Sequence, residues 1–306
     1  MNLQQLRLVA TIADTGSFTR AGEVCGYTQS GVTQMMKKLE AEFGLPLFIK
    51  GRSGAELTRE GEELLPWIRQ MLNDEDKLRH AIDERRGLHR GTLCVGAHVS
   101  CAIAWRAALM DVFRSRYPGV DLTIMESGQR LMVRDVLERR LDLAIMSEPL
   151  PEDPIDFMPL MTDSMVVYFP EGHALSQYER VPLDALRELP LILSSPEYDT
   201  DADRLLAAAD FEPNVCFRSI SDFSLLASVR SGLGVGILPK LLLKDLPFDD
   251  IDYRELDPPF ERIIGIGMLS EKALGPVEKV FVKEFKEILG EWKRGERKIY
   301  EKCDRK

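Results

Sequence analysis

Residues 28–43 set the narrowest limits on how this chain can fold. Apolar side chains recur there every three or four residues, which places them on one stripe of a helix. They are Val32, Met35, Met36, Leu39 and Phe43. The other side of the helix carries the amides, hydroxyls and ammonium group of Gln29, Ser30, Thr33, Gln34 and Lys37. Base edges in the major groove of DNA offer matching donors and acceptors, so the pattern predicts a helix that packs by one face and contacts DNA by the other.

The residues before this helix predict the rest of a helix-turn-helix. Ser17 can cap a helix over residues 18–25, and Gly26 can end that helix in the left-handed conformation. Thr28 can then cap the helix that follows. Two helices joined by so short a turn cross steeply, so the first can brace the second against a duplex. An ordinary amphipathic helix pair is the alternative that spacing alone leaves open.

Six short segments carry a resemblance to a known family. They are Met1-Asn-Leu-Gln-Gln-Leu6, Gly16-Ser-Phe-Thr-Arg-Ala21, Thr28-Gln-Ser30, Lys38-Leu-Glu40, Gly44-Leu-Pro-Leu-Phe48 and Leu57-Thr-Arg-Glu-Gly61. In these segments, and along its whole length, the chain resembles the LysR-type transcriptional regulators. The resemblance implies an N-terminal all-α winged helix-turn-helix, a long linker helix, and a C-terminal α/β two-lobed effector domain like that of periplasmic binding proteins. A small molecule bound between the lobes would modulate sequence-specific DNA binding or activation.

The turn after Phe48 resembles the family's wing and carries Lys50 and Arg52. These two cations would lie beside the phosphate backbone or the minor groove, where they add affinity and salt dependence rather than sequence choice. Plain solvated charge is the alternative for both. The predicted DNA-binding residues are Thr28, Gln29, Ser30, Thr33, Gln34, Lys37, Lys50 and Arg52.

The chain departs from the family at two glycines. The family usually has Ala where this chain has Gly22 and Gly31, and often a basic residue near Gln34. Each glycine costs up to about 1 kcal/mol of helix propensity relative to Ala, so we expect both where the two helices touch closely. Because of these departures, the operator sequence is not predicted.

Residues 59–87 predict one long helix after the head, capped by Thr58. Its apolar stripe, flanked by charges, consists of Leu64, Ile68, Met71 or Leu72, Leu78 and Ile82. Packing on its own head is the alternative, but that would need less length. In the resembling family this helix dimerises. The resemblance therefore implies a homodimer on an interrupted palindrome of double-stranded DNA, a homotetramer through the effector domains, and RNA polymerase as a further candidate partner.

From Thr92 onward, strands and helices alternate. The predicted strands are 93–97, 120–126, 142–146, 165–169, 191–194, 215–219, 235–238 and 263–269, and the predicted helices are 104–117, 130–140, 202–209, 223–231 and 277–292. Such alternation predicts a mainly parallel sheet with ligands outside the carboxyl ends of its strands. The expected parts are a DNA-binding domain 1–58, the linker helix 59–87, a hinge 88–91, an effector domain 92–295 and a charged tail 296–306. By the resemblance, lobe I spans about 92–161 and 265–295, and lobe II about 162–264.

Small polar residues that follow predicted strands are the candidate effector contacts. Ser100 leads, because a hydroxyl beside free amides at a helix N-terminus can hold a carboxylate or another small anion. The candidate set is His98, Ser100, Cys101, Ser127, Ser147, Ser195 and Phe223. Helix capping is the alternative for each serine. The sequence therefore predicts an unidentified small-molecule effector, with an anion as the candidate class.

Cys101 raises a redox alternative, because a thiol at a helix N-terminus can have a lowered pKa. The five cysteines are odd in number and widely spaced, and the four histidines are scattered, so we predict no disulfide scaffold, metal site or cofactor. No phosphate loop, nucleophile elbow or zinc-protease motif is found, so we predict neither catalytic residues nor an enzyme. A solute-binding protein is the remaining alternative, and the lack of an export signal counts against it.

Charge is divided unevenly along the chain. The formal net charge is −10, yet residues 1–60 carry seven Lys and Arg against six acids, a net +1 that leaves −11 for the rest. An acidic body with a near-neutral head predicts that DNA contact is confined to one end. No apolar run approaches the ~20 residues needed to span a bilayer. The chain is therefore expected in the cytoplasm, with no membrane partner.

Overall fold

The computed structural model describes residues 1–50, 54–85, 90–245 and 250–294. The chain divides near residues 88 and 89 into two compact units. Within the described ranges, no helix has the length and apolar character that crossing a membrane requires. Arg52, residues 88 and 89 of the expected hinge, and the expected tail 296–306 lie outside the described residues.

The first unit is a small helical head with a two-stranded wing. Its elements are α1 (Leu3–Thr15), α2 (Phe18–Cys25), α3 (Gln29–Phe43), β1 (Phe48–Lys50), β2 (Ala55–Leu57) and α4 (Arg59–Arg85). The two strands pair antiparallel, with Phe48 opposite Leu57 and Lys50 opposite Ala55. The wing thus adds a hairpin to the head that the resemblance described as all-α. Strands of three residues are too short to show a period in the sequence.

Local sequence fixes the ends of the two motif helices as predicted. The Ser17 hydroxyl accepts a hydrogen bond from the Arg20 amide at 3.3 Å, and the Thr28 hydroxyl accepts one from the Gly31 amide at 3.2 Å. Gly26 ends α2 with a φ of 76°, a conformation that glycine adopts without steric cost. The predicted caps and the predicted C-terminal glycine are confirmed.

Gly22 and Gly31 have different surroundings. A methyl group at Gly22 would lie 2.7 Å from the Tyr27 carbonyl oxygen and 3.3 Å from a Val32 methyl group, so the chain packs closely there, as predicted. At Gly31 the same methyl group would approach the Thr28 hydroxyl, at 3.2 Å, and nothing else described within 4 Å. The prediction of a close helix contact is therefore wrong for Gly31, which faces the cap of its own helix.

The head is held by one hydrophobic core. Val32, Met36 and Leu39 of α3 are buried in it, and Met35 and Phe43 pack partly buried against it, which confirms the predicted stripe. Charged contacts add to the packing between α1 and α4. Arg7 Nη2 lies 2.6 Å from Glu75 Oε2 and 2.9 Å from Asp76 Oδ1.

The second unit is an α/β domain of two lobes. Its strands are β3 (Arg90–Ala97), β4 (Gly119–Glu126), β5 (Leu143–Ser147), β6 (Asp156–Pro170), β7 (Arg180–Pro182), β8 (Leu191–Ser194), β9 (Val215–Ser219), β10 (Val235–Pro239), β11 (Ile251–Asp257) and β12 (Glu261–Met268). Its helices are α5 (Val99–Arg116), α6 (Gln129–Leu137), α7 (Asp201–Leu206), α8 (Asp222–Arg230) and α9 (Pro276–Lys293). Short 3₁₀ turns span 174–177, 183–186, 240–245 and 271–273.

Two strands, β6 and β12, lie where the chain passes between the lobes. The sheet of lobe I has the order β4-β3-β5-β12-β6, and that of lobe II continues as β6-β10-β8-β9, with β11 beside β6 and β7 beside β11. Residues 156–164 of β6 pair with β12, whereas residues 165–170 pair with β10 and β11. The chain therefore changes lobes between Ser164 and Met165 and returns at the start of β12. We call this region the crossover.

Candidate DNA-binding face and candidate effector site

The outward face of α3 presents polar side chains to solvent. Gln29, Ser30, Gln34 and Lys37 are exposed, and Thr33 is half-buried. The Thr33 hydroxyl donates to the Gln29 carbonyl at 2.9 Å, and the Ser30 hydroxyl lies 3.2 Å from that of Thr28. Among the described residues, no hydrogen-bond partner reaches the side chains of Gln29, Gln34 or Lys37. The two amides and the ammonium group are therefore free for an outside partner.

The wing lies beside the end of α1. The Ala55 amide of β2 donates to the Gly16 carbonyl at 2.8 Å, which anchors the hairpin to the head. Lys50 ends β1, but its side chain and the whole of Arg52 lie outside what the structure describes. Their contact with DNA stays a prediction.

The linker helix α4 has one face on the head and one face exposed. Leu65 and Ile68 are buried in the core of the head. The exposed apolar residues of α4 are Trp67, Met71, Leu78 and Ile82, at 66%, 44%, 62% and 43%. Ile68 was predicted on the pairing stripe, and that assignment is wrong. Trp67 and Ile68 are only about 100° apart around the helix, so the apolar spacing alone could not tell which of them faces the head.

A buried guanidinium occupies the crossover. The side chain of Arg262, on β12, is 1% exposed. Its Nε and Nη2 donate to Asp163 Oδ2 on β6 at 3.1 and 2.9 Å, and Nη2 also donates to the Ser100 hydroxyl at 2.8 Å. The Leu241 amide donates to the other oxygen of Asp163 at 3.0 Å. These bonds tie β6, β12, α5 and the turn after β10 together.

Two more carboxylates approach Arg262 from lobe II. Arg262 Nη1 lies 3.6 Å from Asp201 Oδ2 and 3.8 Å from Asp199 Oδ2, beyond hydrogen-bond length. Asp201 Oδ2 accepts a hydrogen bond from the Ser147 hydroxyl at 2.8 Å, and Asp199 Oδ1 accepts one from the Asp201 amide at 2.7 Å. Asp222, at the start of α8, is also buried and interacts electrostatically with both Asp199 and Arg262. We call Asp163, Asp199, Asp201, Asp222 and Arg262 the crossover cluster.

The crossover cluster holds four carboxyl groups around one guanidinium. Burial raises the pKa of Asp163, Asp199 and Asp222, that of Asp222 to about 7, and neighbouring carboxylates raise all three further. Burial works against the charge of Arg262, but the surrounding carboxylates outweigh it and raise the pKa of the guanidinium. Arg204 lies 3.6 Å from Asp201 at the half-exposed edge. With all four carboxyl groups ionised, the cluster carries an excess of negative charge that its buried groups do not balance, and the raised pKa values reflect that excess.

His98, Gln129 and Tyr198 bridge the lobes beside the cluster. The Gln129 side chain lies 2.8 Å from His98 Nε2 and donates to the Ser147 carbonyl at 3.0 Å. The Gln129 amide donates to the Tyr198 carbonyl at 2.8 Å. Burial lowers the pKa of His98, so its imidazole is neutral near pH 7 and adds no positive charge.

The expected start of α5 and the expected free hydroxyl of Ser100 are both wrong. The helix begins at Val99 rather than near Ala104, so Ser100 lies in its first turn instead of in a loop. The Ser100 hydroxyl already accepts a hydrogen bond from Arg262. Burial against β6 and β12 overrides the weak helix propensity of these residues. The hydroxyl expected to be free for an anion is thus engaged within the protein.

The other candidate effector residues differ in position. Ser147 and His98 are buried beside the cluster, whereas Ser127 is half-buried and its amide donates to the Ala97 carbonyl. The Ser195 carbonyl accepts from the amides of Tyr198 and Asp199 at 2.8 and 3.0 Å, so Ser195 begins the turn that carries both. Phe223 is 62% exposed and follows Asp222 directly.

Cys101 does not have the lowered pKa that the redox alternative requires. Its side chain is fully buried, and burial raises the pKa of the thiol to about 12. The nucleophilic and oxidisable form is the thiolate, which is scarce at neutral pH when the pKa is that high. The condition of the redox alternative is therefore not met at Cys101.

The carboxylates and the guanidinium of the crossover cluster are absent from the predicted site. In the sequence they look like the many surface charges of this chain, because nothing in their local pattern shows burial. One signal was available. The expected lobe boundaries near residues 162 and 264 place Asp163 and Arg262 close to the crossover, where a charged residue inside a strand indicates a site.

The arrangement defines a class of protein. A winged helix-turn-helix whose second helix exposes unpartnered amides is built to contact DNA. A two-lobed α/β domain with charged residues at its crossover is built to bind a small ligand. Together they define a DNA-binding regulator with an effector domain.

Family comparisons give the same result. Residues 3–62 match the family described as bacterial regulatory helix-turn-helix protein, lysR family, and residues 86–290 match the LysR substrate binding domain. The chain belongs to the LysR family of DNA-binding transcription regulators, and its second unit is their effector-binding domain.

Individual relatives align along almost the whole chain. The chain is 30% identical over 295 residues to the probable HTH-type transcriptional regulator LrrA of Synechococcus elongatus, covering 95% of this chain and 98% of LrrA. Its fold is similar to that of full-length OxyR C199D from Pseudomonas aeruginosa, with a TM-score of 0.74 and 24% identity over 94% of this chain and 97% of that one. CbnR complexed with its target DNA gives a TM-score of 0.63 and 19% identity over 94% of this chain and 99% of CbnR.

Proposed function

We propose that α3 selects the operator of this regulator through Gln29 and Gln34. The observation that carries the proposal is their exposed, unpartnered amides in the first two turns of α3. A glutamine amide can donate to and accept from adenine at the same time, which distinguishes one base pair from the other three. Thr28, Ser30 and Thr33 contribute shorter contacts beside them. The solved complex of CbnR with DNA supports this use of the fold.

The cations of the head supply affinity rather than sequence choice. Lys37 is exposed on α3, and Lys50 and Arg52 follow in the wing. Each cation that neutralises a phosphate releases a counterion, so its contribution falls as salt rises. We propose these three side chains as phosphate contacts.

The exposed face of α4 supports a homodimer. Trp67, Met71, Leu78 and Ile82 follow one another at intervals of four, seven and four residues, which is the spacing of a seam between paired helices. Two-fold pairing of α4 presents two heads to an interrupted palindrome of double-stranded DNA. A homotetramer through the effector domains, and contact with RNA polymerase, extend this proposal by resemblance to the family.

The crossover is the proposed effector site. Residues of both lobes meet there, since Ser147 of lobe I donates to Asp201 of lobe II. His98 lies beside them, Ser127 and Ser195 lie at neighbouring strand ends, and Phe223 lies at the start of α8. A ligand that binds one arrangement of the lobes better than another shifts their equilibrium by that difference in affinity. We propose no catalytic role for this site, and we propose that the protein acts on chromosomal DNA in the cytoplasm.

Selection of operators from random duplexes tests the function. Full-length protein should enrich an interrupted palindrome and bind it more tightly than a scrambled duplex of the same length. Affinity for both duplexes should fall as salt rises, while the difference between them remains. Equal affinity for the selected and the scrambled duplex, at every salt concentration, would contradict sequence-specific regulation.

A further inference from the structure

Asp222 is a buried carboxylate without a partner. It is 8% exposed, and no hydrogen bond or ion pair to its carboxylate is found in the described part of the chain. Its electrostatic neighbours are Asp199 and Glu126, which repel its charge, and Arg262, which attracts it. An acid in the first turn of a helix is favoured by the helix dipole, but that interaction needs no burial. The position of Asp222 therefore calls for a further positive group.

The positive charge of the crossover is already committed elsewhere. Arg262 gives its hydrogen bonds to Asp163 and Ser100, and it stands 3.8 Å from Asp199. The exposed Arg106 pairs with Glu126 at 2.8 Å. Asp222 is thus left as a buried acceptor, and Asp199 as a partly buried one with a side chain 13% exposed. Neither has a cation at hydrogen-bond distance in the described residues.

We propose that the crossover binds a small organic ammonium ion, held by Asp199 and Asp222 from lobe II. The inference rests on the proposed effector site and names its ligand class. An ammonium group supplies both the missing charge and donors for the two carboxylates. Asp199 follows Tyr198, whose carbonyl accepts a hydrogen bond from the Gln129 amide of lobe I at 2.8 Å, and Asp222, at the start of α8, interacts electrostatically with Glu126 of lobe I. Ligand binding there is therefore sensitive to how the lobes close.

An anion fits this site poorly. It would face the excess carboxylates of the cluster, while the Ser100 hydroxyl already accepts a hydrogen bond from Arg262. Like charges in a buried site repel strongly because little water screens them. We therefore infer a cationic ligand here instead of the anion expected from the sequence.

The surroundings favour an ammonium ion with an apolar tail over a metal ion. The ring of Tyr198 packs edge-on to that of His98, with ring centroids 6.4 Å apart, and Tyr198 interacts electrostatically with both Asp222 and Asp199. An aromatic face attracts ammonium groups. Four exposed apolar side chains stand within two residues of Glu126, Gln129 or Asp222. They are Met125, Leu131, Ile220 and Phe223, at 52%, 44%, 66% and 62%. A hydrated metal ion gains nothing from apolar contact, whereas an alkyl or aryl tail that reaches such side chains is shielded from water.

Thermal shift and calorimetric titration of the full-length protein test the proposal. The probes are butylammonium and phenethylammonium, compared with butyrate, phenylacetate and magnesium chloride at the same ionic strength. Both ammonium ions should raise the melting temperature with concentration, and the two carboxylates should not. Asp222→Asn should weaken ammonium binding by about tenfold or more, because it removes a charged acceptor. The control Asp111→Asn changes an exposed aspartate of α5 and should leave binding unchanged.

Three outcomes would overturn the proposal. They are stabilisation by the carboxylates instead of the ammonium ions, magnesium acting as strongly as phenethylammonium, and ammonium binding that Asp222→Asn leaves unaltered. The affinity of the protein for the selected operator duplex is measured in parallel. If the operator binds specifically but no ammonium ion does, the ligand class is wrong and the regulatory function stands. If the operator does not bind specifically, the proposed function itself fails.

Discussion

Arg262 shows why single residues decide the properties of the effector domain. It donates three hydrogen bonds to Asp163 and Ser100, which belong to different elements of the fold. A buried ion pair of this kind fixes geometry more than it adds stability, because the desolvation of both charges offsets most of their attraction. Asp199 and Asp222 are also removed from water, but neither receives a hydrogen bond from a described cation. They are therefore the residues most sensitive to pH and to ligands.

Replacing Asp222 by Asn should stabilise the protein above neutral pH. The folded-state pKa of about 7 exceeds the ordinary aspartate value of about 4, so the folded protein binds this proton more tightly than the unfolded chain does. The free energy of unfolding of the wild type is therefore lowered as pH rises from about 4 to 7. Asn does not ionise, so Asp222→Asn should match the wild type near pH 4 and exceed it above pH 7 by up to about 4 kcal/mol.

Chemical denaturation over this pH range, in buffers without amines, measures the difference. Asp111→Asn is the matched control and should follow the wild type throughout. An Asp222→Asn protein that is equal to the wild type at every pH, or less stable at high pH, would mean that the carboxylate has a partner in solution.

The packing of α2 against the start of α3 depends on Gly22. Gly22→Ala places a methyl group 2.7 Å from the Tyr27 carbonyl oxygen, so the backbone must shift, at an expected cost of about 1–3 kcal/mol. Gly31→Ala meets a hydroxyl that can rotate, and it gains helix propensity of up to about 1 kcal/mol. Hydrogen–deuterium exchange over residues 18–43 should show faster exchange in Gly22→Ala only. Equal protection in both variants would contradict the close packing at Gly22.

The exposed stripe of α4 should control the oligomeric state. Leu78→Asp places a charge in the proposed helix seam, where burial without a partner is strongly disfavoured. We expect the dimer to dissociate at concentrations where the wild type remains dimeric, as measured by sedimentation velocity. Glu62→Gln, an exposed change on the same helix outside the stripe, is the control. An unchanged sedimentation profile for Leu78→Asp would place the dimer contact elsewhere.

Elements with strong local signals could be predicted from the sequence. The caps of α2 and α3 depend on neighbouring residues, and β8 and β9 are short apolar strands between turns, predicted with the bounds that they have. β7 and β11 were missed, because their pairing with strands far away in the chain decides their conformation. The first half of β6 was missed for the same reason, since its partner is β12.

The crossover cluster could not be predicted, because folding brings together residues that are far apart in the sequence. Asp163 and Arg262 are 99 residues apart, and Asp199, Asp201 and Asp222 come from the segments that lead into and start α7 and α8. A sequence shows the charge of these residues but not their burial, and burial is what makes them unusual. The candidate serines at strand ends lie in or near the same region, but the sequence does not show which groups their hydroxyls bond to.

The two ends of the molecule should be coupled through the ligand. If an ammonium ion binds at the crossover and changes operator affinity by some factor, the operator must change ammonium affinity by the same factor. We expect phenethylammonium to change the operator affinity of the wild type and to leave that of Asp222→Asn nearly unchanged. Fluorescence anisotropy of a labelled operator, with and without saturating phenethylammonium, measures both affinities. Ammonium affinity should also rise as pH rises through about 7, where Asp222 loses its proton.

Recognition of operator bases by α3 can be measured position by position. Binding of the wild type, Gln29→Ala and Gln34→Ala to operators with single base-pair substitutions gives a discrimination energy at each position. Each variant should lose about 1–3 kcal/mol of discrimination at one position of each half-site and keep it elsewhere. Gln4→Ala, an exposed glutamine on α1, is the control and should discriminate like the wild type. If both α3 variants discriminate like the wild type at every position, α3 does not select the operator through these amides.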